Sequence, residues 1–409
     1  VGTQSTGDRQ GVPAALPVQA TVRPAHFYAD LYTFQWSGLE FKLPAVCASA
    51  VALCLSLGVL AGHPGAALIA GGGALTVGFG VNQRISDSRV LAMVLATIWM
   101  ALATLAGTLA GHRGSAILIA SAIAAGVYGF LTIRAAGVAW VGQQAAVALF
   151  VASAFPQTPK GALERAGLIV AGGLIQIVFT TVALHLVPEL RRDLLAIPVS
   201  VYQSVYAQRL EFLRRLELVP KALPAPDRAA ATAYAVRLLV TILVATELYR
   251  LMGIQSGYWI PMTALLVQKP AFFETLTRAL LRVGGTLAGA WVATMAAAHL
   301  HPGVWSLAAL TVFFAFGALA TNGVNYGIFS LFMTAYIVFL LSLNAMPTPN
   351  LAHRRAFCTL AGALIALVIH LDALRRHRAA VAEDSDTGPE QTRILQPAAA
   401  SDVGTSEGK

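Results

Sequence analysis

The chain has 409 residues, of which 57% are hydrophobic and 11% charged, against roughly 25% charged in an ordinary soluble domain. No soluble core hides that much apolar surface, whereas a bilayer does, because each spanning helix needs about 20 mostly apolar residues and satisfies its own backbone. A formal charge of +9 would suit a nucleic-acid surface only if the Lys and Arg clustered on one accessible face; they sit mostly at the ends of apolar stretches, so no nucleic-acid partner is expected.

Residues 1–41 read as an N-terminal cytoplasmic or interfacial segment, polar at first and then aromatic (Phe27, Tyr28, Tyr32, Phe34, Trp36), as suits the headgroup level. Apolar stretches follow at about 43–61, 66–81, 90–111, 114–133, 137–155 and 166–187, separated by Gly, Pro and charges. They make a first unit of six predicted spans, 42–187. Residues 188–229 form a cytoplasmic linker in which Tyr202, Val205, Tyr206, Leu210, Leu213 and Leu216 recur at spacings of three and four, the period of an amphipathic helix. A second set of apolar stretches at about 233–252, 257–269, 279–299, 303–321, 323–343 and 356–373 makes a second unit, 230–376. Residues 377–409 lack apolar periodicity and are expected to be disordered. The predicted fold is therefore all-α, a polytopic membrane bundle of about 12 transmembrane helices in two parallel six-helix repeats.

The identical strings Gly107–Gly111 and Gly285–Gly289 first suggest the repeat, but they match the end of one span with the beginning of another, a coincidence of small residues. A shift of 189 pairs Arg89 with Arg278, Thr97 with Thr286 and His112 with His301, and a shift of 190 pairs Pro159 with Pro349, Arg165 with Arg355 and Gly172 with Gly362. Each pair falls at the same place in its helix. An even number of spans per unit puts both copies in from the same side, with a pathway expected between them. With both termini cytoplasmic, Arg113, Lys160, Arg165, Arg250, Arg354 and Arg355 would face outward and the other 22 of the 28 Lys and Arg inward, in line with the positive-inside tendency. The pair Arg354 and Arg355, in a predicted outer loop, fits that scheme least well.

In repeat-built transporters, short or Gly/Pro-interrupted spans at matching positions point to the binding site. Spans 2 (Gly71-Gly72-Gly73) and 8 (Pro261 after Tyr258 and Trp259) qualify; the blander readings are close helix packing and an interfacial aromatic anchor. Gln143, Gln144, Asn325, Ser330 and Thr334 bring polar groups to membrane depth. Tyr326, Phe329, Phe332 and Tyr336 recur at three- and four-residue spacing, giving an aromatic face that is either core or a stacking surface for a ring. Arg237, Arg278 and Arg282 lie near the inner ends of their spans, where planar guanidinium forks would gather carboxylates, with lipid contact and a Glu274–Arg278 helix pair as alternatives. Glu247 is the one carboxylate well inside a span and the candidate proton carrier, unless Arg250, three residues on, neutralises it. The cysteines Cys47, Cys54 and Cys358 read as packing residues, no metal or cofactor is expected, and no enzyme signature is present.

The run Gly257-Tyr258-Trp259-Ile260-Pro261-Met262-Thr263, then Gln268-Lys269-Pro270, Thr275, Arg278, Arg282, Gly285-Thr286 and Gly289, preceded by Arg237, resembles the fusaric acid resistance and aromatic acid exporter family. The likeness covers about 233–290; in the first half Arg89 and Thr97 persist, but Met93 replaces the second Arg and the Tyr-Trp pair is absent. Phe273 and Glu274 stand where the family has small residues. The resemblance implies an efflux transporter in the bacterial inner membrane that exports small aromatic or amphiphilic carboxylic acids, in some members with a periplasmic adaptor protein. With no ATPase motif in the sequence, uphill transport is expected to draw on an ion gradient, here that of protons, and a homo-oligomer is a further expectation. Arg237, Arg278 and Arg282 are expected to hold the acid, with Tyr258, Trp259 and Thr263 of the matching run around it and Tyr326 and Tyr336 added from the aromatic spacing. The related plant malate channels keep an anion channel as the rival class, and a membrane scaffold without transport is the third.

Overall fold

The computed structural model describes residues 31–86, 88–132, 136–186, 225–254, 256–344 and 350–371. The linker helix expected within 188–229, the first 30 residues and the tail 377–409 lie outside the described residues. Twelve α-helices run through the rest: α1 (Lys42–Leu60), α2 (Pro64–Gly78), α3 (Arg89–Ala110), α4 (Gly114–Thr132), α5 (Ala136–Ser153), α6 (Pro159–Leu186), α7 (Ala225–Leu251), α8 (Trp259–Val267), α9 (Phe272–Leu300), α10 (Val304–Thr321), α11 (Tyr326–Ser342) and α12 (Asn350–Leu371). Ten are long and apolar enough to cross a membrane; α11 is a shorter apolar helix and α8 has nine residues.

Large apolar side chains point outward all around the bundle, among them Leu57, Trp99, Ile119, Val178, Trp291, Phe313 and Leu364. Buried polar residues line its interior. Many buried hydroxyls are satisfied within their own helix, as Thr97 donates to the Met93 carbonyl at 2.9 Å and Thr311 to that of Leu307 at 2.7 Å, the usual way such residues live in lipid. The protein is thus an all-α, multi-pass membrane bundle.

Local chemistry explains the helix boundaries. Ser88 caps α3 by accepting the Leu91 N–H at 3.2 Å, and Asn325 caps α11 by accepting that of Gly327 at 2.8 Å. Asn325, expected inside a span, therefore stands at a helix start, where its amide also donates to the Thr33 carbonyl at 3.2 Å. With Gln35 N–H donating to the Val324 carbonyl at 3.1 Å, this docks residues 33–35 on the α10–α11 turn, while Tyr32 and Trp36 stay exposed.

α8 is short, as anticipated, though Pro261 does not break it. Pro261 occupies the first turn, where its missing N–H costs nothing. The helix ends where Gln268 turns extended (ψ 127°), and Lys269, the residue before Pro270, is itself disfavoured in the helical region. Nine residues rise about 13.5 Å, half of a hydrocarbon core about 30 Å thick. α2, by contrast, runs unbroken through Gly71-Gly72-Gly73. Gly73 lies against the Ile169 backbone of α6, so the packing reading of those glycines holds.

Within the first six helices α3 packs on α5 and α6, α2 on α1 and α6, and α4 on α5; within the second six α9 and α10 pack on α11, and α8 on α7 and α9. Between the sets, α4 packs on α7, α10 on α1, and α8 on α5. The two Gly-Thr-Leu-Ala-Gly strings turn out to do one local job at different depths. A Cβ at Gly107 or Gly111 would sit 2.4 Å from the Leu149 or Ser153 carbonyl oxygen of α5, and one at Gly285 or Gly289 would sit 2.3 or 2.4 Å from the Gly327 or Leu331 oxygen of α11. Small residues four apart let helices touch in lipid.

Candidate functional site

α9 places Arg278, Arg282 and Thr286 one turn apart on the face it turns to α11, because Gly285 and Gly289 bring the two backbones together there. α11 answers with Tyr326, Ser330 and Thr334, also one turn apart. The Arg278 guanidinium lies 4.3 Å over the Tyr326 ring, and Thr334 Oγ1 donates to Thr286 Oγ1 at 3.5 Å. From the other side α12 contributes Arg355, whose Nε donates to Thr334 Oγ1 at 3.4 Å and whose guanidinium stacks 4.0 Å from the Trp259 ring centroid. Trp259 in turn packs on Tyr258, with ring centroids 4.9 Å apart. α12 reaches this position because Gly362 rides on α8, where a Cβ would meet the Ile260 carbonyl oxygen at 2.4 Å and Thr263 Cβ at 2.9 Å.

Arg282 and Arg355 are each only 3% exposed and close enough for their charges to repel. Among the described residues no Asp or Glu is buried. Burying one guanidinium in a bilayer costs several kcal/mol, roughly 3 or more, unless it is paired or wet; here two share a site without a carboxylate. Several donors beside them also lack acceptors, namely Arg278 Nε, Arg282 Nε, Ser330 Oγ and Thr263 Oγ1. Buried donors are rarely left so, and a planar anion between the arginines would meet their hydrogens.

Arg237 is in a second cluster rather than with Arg282. Its Nη1 donates to His370 Nε2 at 3.0 Å, and His370 Nδ1 is 3.0 Å from Thr275 Oγ1. Thr275 precedes Arg282 on α9 by seven residues, about 10 Å along the axis. The partner the structure gives Arg282 is Arg355, which the sequence reading placed in an outer loop; α12 begins at Asn350 and carries Arg355 inward, while Arg354 stays exposed. A signal for it existed, since Arg165 and Arg355 stand at the same place in α6 and α12. Arg165 is also held by an aromatic neighbour, donating to the Phe155 carbonyl at 3.0 Å with its guanidinium 5.3 Å from that ring.

The other candidates separate. Tyr258, Trp259, Thr263, Arg278, Arg282 and Tyr326 fall within or beside the central cluster. Tyr336 is buried with Phe314 and Phe339 in the apolar core between α1, α10 and α11, and Phe329 and Phe332 pack on Phe79 and Phe314, at 5.6 and 6.0 Å. Of the aromatic face read along α11, only Tyr326 joins the arginines. Glu247 is ion-paired to Arg250 near the end of α7, with both side chains partly exposed.

Residues 243–369 match the family model described as fusaric acid resistance protein-like. No curated protein and no solved structure matches the chain. The matched segment holds the whole of the central cluster, from Tyr258 to Arg355, so it is over residues 243–369 that this multi-pass membrane protein is similar to the fusaric acid resistance protein-like family.

Proposed function

We propose that the chain is an efflux transporter for small aromatic or amphiphilic carboxylic acids, working in the bacterial inner membrane with both termini cytoplasmic and drawing on the proton gradient. One observation carries this reading: two buried guanidinium groups, Arg282 and Arg355, lie close enough to repel without a buried carboxylate among the described residues, and Arg355 stacks on Trp259, which packs on Tyr258. A carboxylate neutralises the pair, and a flat apolar ring attached to it finds aromatic walls. We propose further that the two sets of six helices are parallel repeats around this pathway. Support comes from the reciprocal pairings of α4 with α7 and α10 with α1, the fourth helix of one set on the first of the other. It also comes from two equivalent close contacts, Gly172 on the Ala70 carbonyl and Gly362 on that of Ile260, each residue 190 positions from its counterpart.

A second reading, a passive anion channel, is favoured by the position of Glu247. Its pairing with Arg250 takes the expected proton carrier away from the arginines. Efflux of preloaded benzoate from cells producing the full chain, with and without a proton uncoupler, separates the two. Uncoupler-sensitive loss above the vector control is the expected result; loss that ignores the uncoupler and follows voltage favours the channel, and no loss above control sinks both. In the same assay Trp259→Ala is expected to slow efflux about fivefold at subsaturating benzoate, the worth of one stacking contact.

A further inference from the structure

We infer that His370 is a positioning residue whose protonation state sets how tightly the inner part of the pathway holds an organic anion, an inference that rests on the carboxylate-transport reading above. His370 is fully buried in the last described turn of α12, bridging α7 and α9. Its tautomer follows from its partners. Arg237 Nη1 can only donate, so His370 Nε2, 3.0 Å away, holds a lone pair. The neutral ring then carries its hydrogen on Nδ1 and donates it to Thr275 Oγ1 at 3.0 Å. That hydroxyl also accepts the Lys269 N–H at 2.9 Å, filling both its lone pairs, and spends its own hydrogen on the Ala271 or Lys269 carbonyl, at 3.0 and 3.2 Å. The network is satisfied only with a neutral imidazole.

When Nε2 takes a proton from water, an N–H and a positive charge face the Arg237 N–H and its charge across the same 3.0 Å. Two donors with no acceptor between them cannot hold that contact, and both turn toward whatever acceptor is present. The surroundings favour an anion. Arg237 faces the ring from α7, Lys269 stands in the α8–α9 connection behind Thr275, and α9 supplies Arg278 together with Glu274, which is exposed. The last two described turns of α12 carry no charge apart from His370 itself. Phe272 closes the remaining side, its ring edge-on to the imidazole at 5.7 Å. Proton and anion therefore bind with positive coupling, and reciprocity requires each to strengthen the other. A cytoplasm acidified by weak acid would thus raise the affinity for the anion to be removed.

The test uses benzenesulfonate, whose charge does not change over the range, and the purified full chain in lipid nanodiscs. Its dissociation constant is measured at about pH 7.5 and about pH 4, the lower value well below the ordinary imidazole range. The wild type is expected to bind roughly fivefold tighter or more at the lower pH, a coupling of ordinary size. His370→Gln keeps an acceptor for Arg237 and a donor for Thr275 but takes no proton, and should show one affinity at both pH values. Arg237→Met removes the partner to be released and should flatten the profile by the other route. A pH response that survives in His370→Gln, or that is missing from the wild type, overturns the inference. Binding that is lost in Arg355→Met yet equal at both pH values in the wild type sinks this inference alone. Failure of the wild type to bind at either pH removes the carboxylate reading with it.

Discussion

Arg355→Met is expected to weaken binding of an aromatic carboxylate by about tenfold to a hundredfold, the worth of a charge-assisted hydrogen bond of about 1.5–3 kcal/mol, while leaving the bundle as stable as before or more so. The two effects have one cause. Arg355 is buried beside Arg282 with no buried carboxylate among the described residues to offset either charge, and replacing poorly compensated buried charge by an apolar side chain of similar volume is often neutral or stabilising, by about 1 kcal/mol or more. Methionine retains contact with the Trp259 ring, now through sulfur. Arg355→Lys separates charge from shape: it keeps the cation but loses the planar group stacked 4.0 Å from Trp259 and the fork that matches a carboxylate, so it should recover only part of the lost affinity. A dissociation constant and a thermal midpoint on the same preparation check both halves. Affinity lost together with stability would make Arg355 a structural residue, and unchanged affinity would remove the central cluster as the anion site.

A second large effect is expected from one methyl group, and only at one of two adjacent glycines. Gly285→Ala should destabilise the bundle by about 2–3 kcal/mol, near the upper end of overpacking costs, because the new Cβ would lie 2.3 Å from the Gly327 carbonyl oxygen and 2.6 Å from Ser330 Cβ. The first of these is helix backbone and cannot step aside. Parting α9 from α11 would also pull Thr286 from Thr334 and Arg278 from Tyr326, so anion binding should fall with stability. Gly284 is exposed, and a Cβ there meets nothing within 4 Å. Gly284→Ala should therefore be neutral or stabilise by up to about 1 kcal/mol through helix propensity and a restricted unfolded chain. Thermal midpoints and the monodisperse fraction of the two variants compare them directly; equal behaviour would mean that the α9–α11 contact is not as close as described.

These predictions mark where reading the chain was sufficient. Hydropathy along the chain located the twelve helices among the described residues, since lipid demands apolar stretches of known length. Residues two to four positions apart also made α8 legible as a short element ending near Lys269-Pro270, and put Arg278 and Arg282 on one face. The neutralisation of Glu247 by Arg250 was visible at a spacing of three. One span nonetheless misled: Gly71-Gly72-Gly73 reads as a break but packs as helix, because a neighbouring backbone supplies what the missing side chains do not.

By itself, the order of residues determined a multi-pass helical membrane protein, the sites of its turns and the arginine-bearing face of α9. What only tertiary structure decided is how each helix is rotated about its axis and which neighbour it meets. These helices are apolar nearly all round, so no amphipathic stripe announces the inner face. That is why Arg355 read as part of an outer loop, why the Arg237–His370 contact, spanning 133 residues, left no trace in local spacing, and why Gly284 and Gly285 look alike until α11 is laid against one of them.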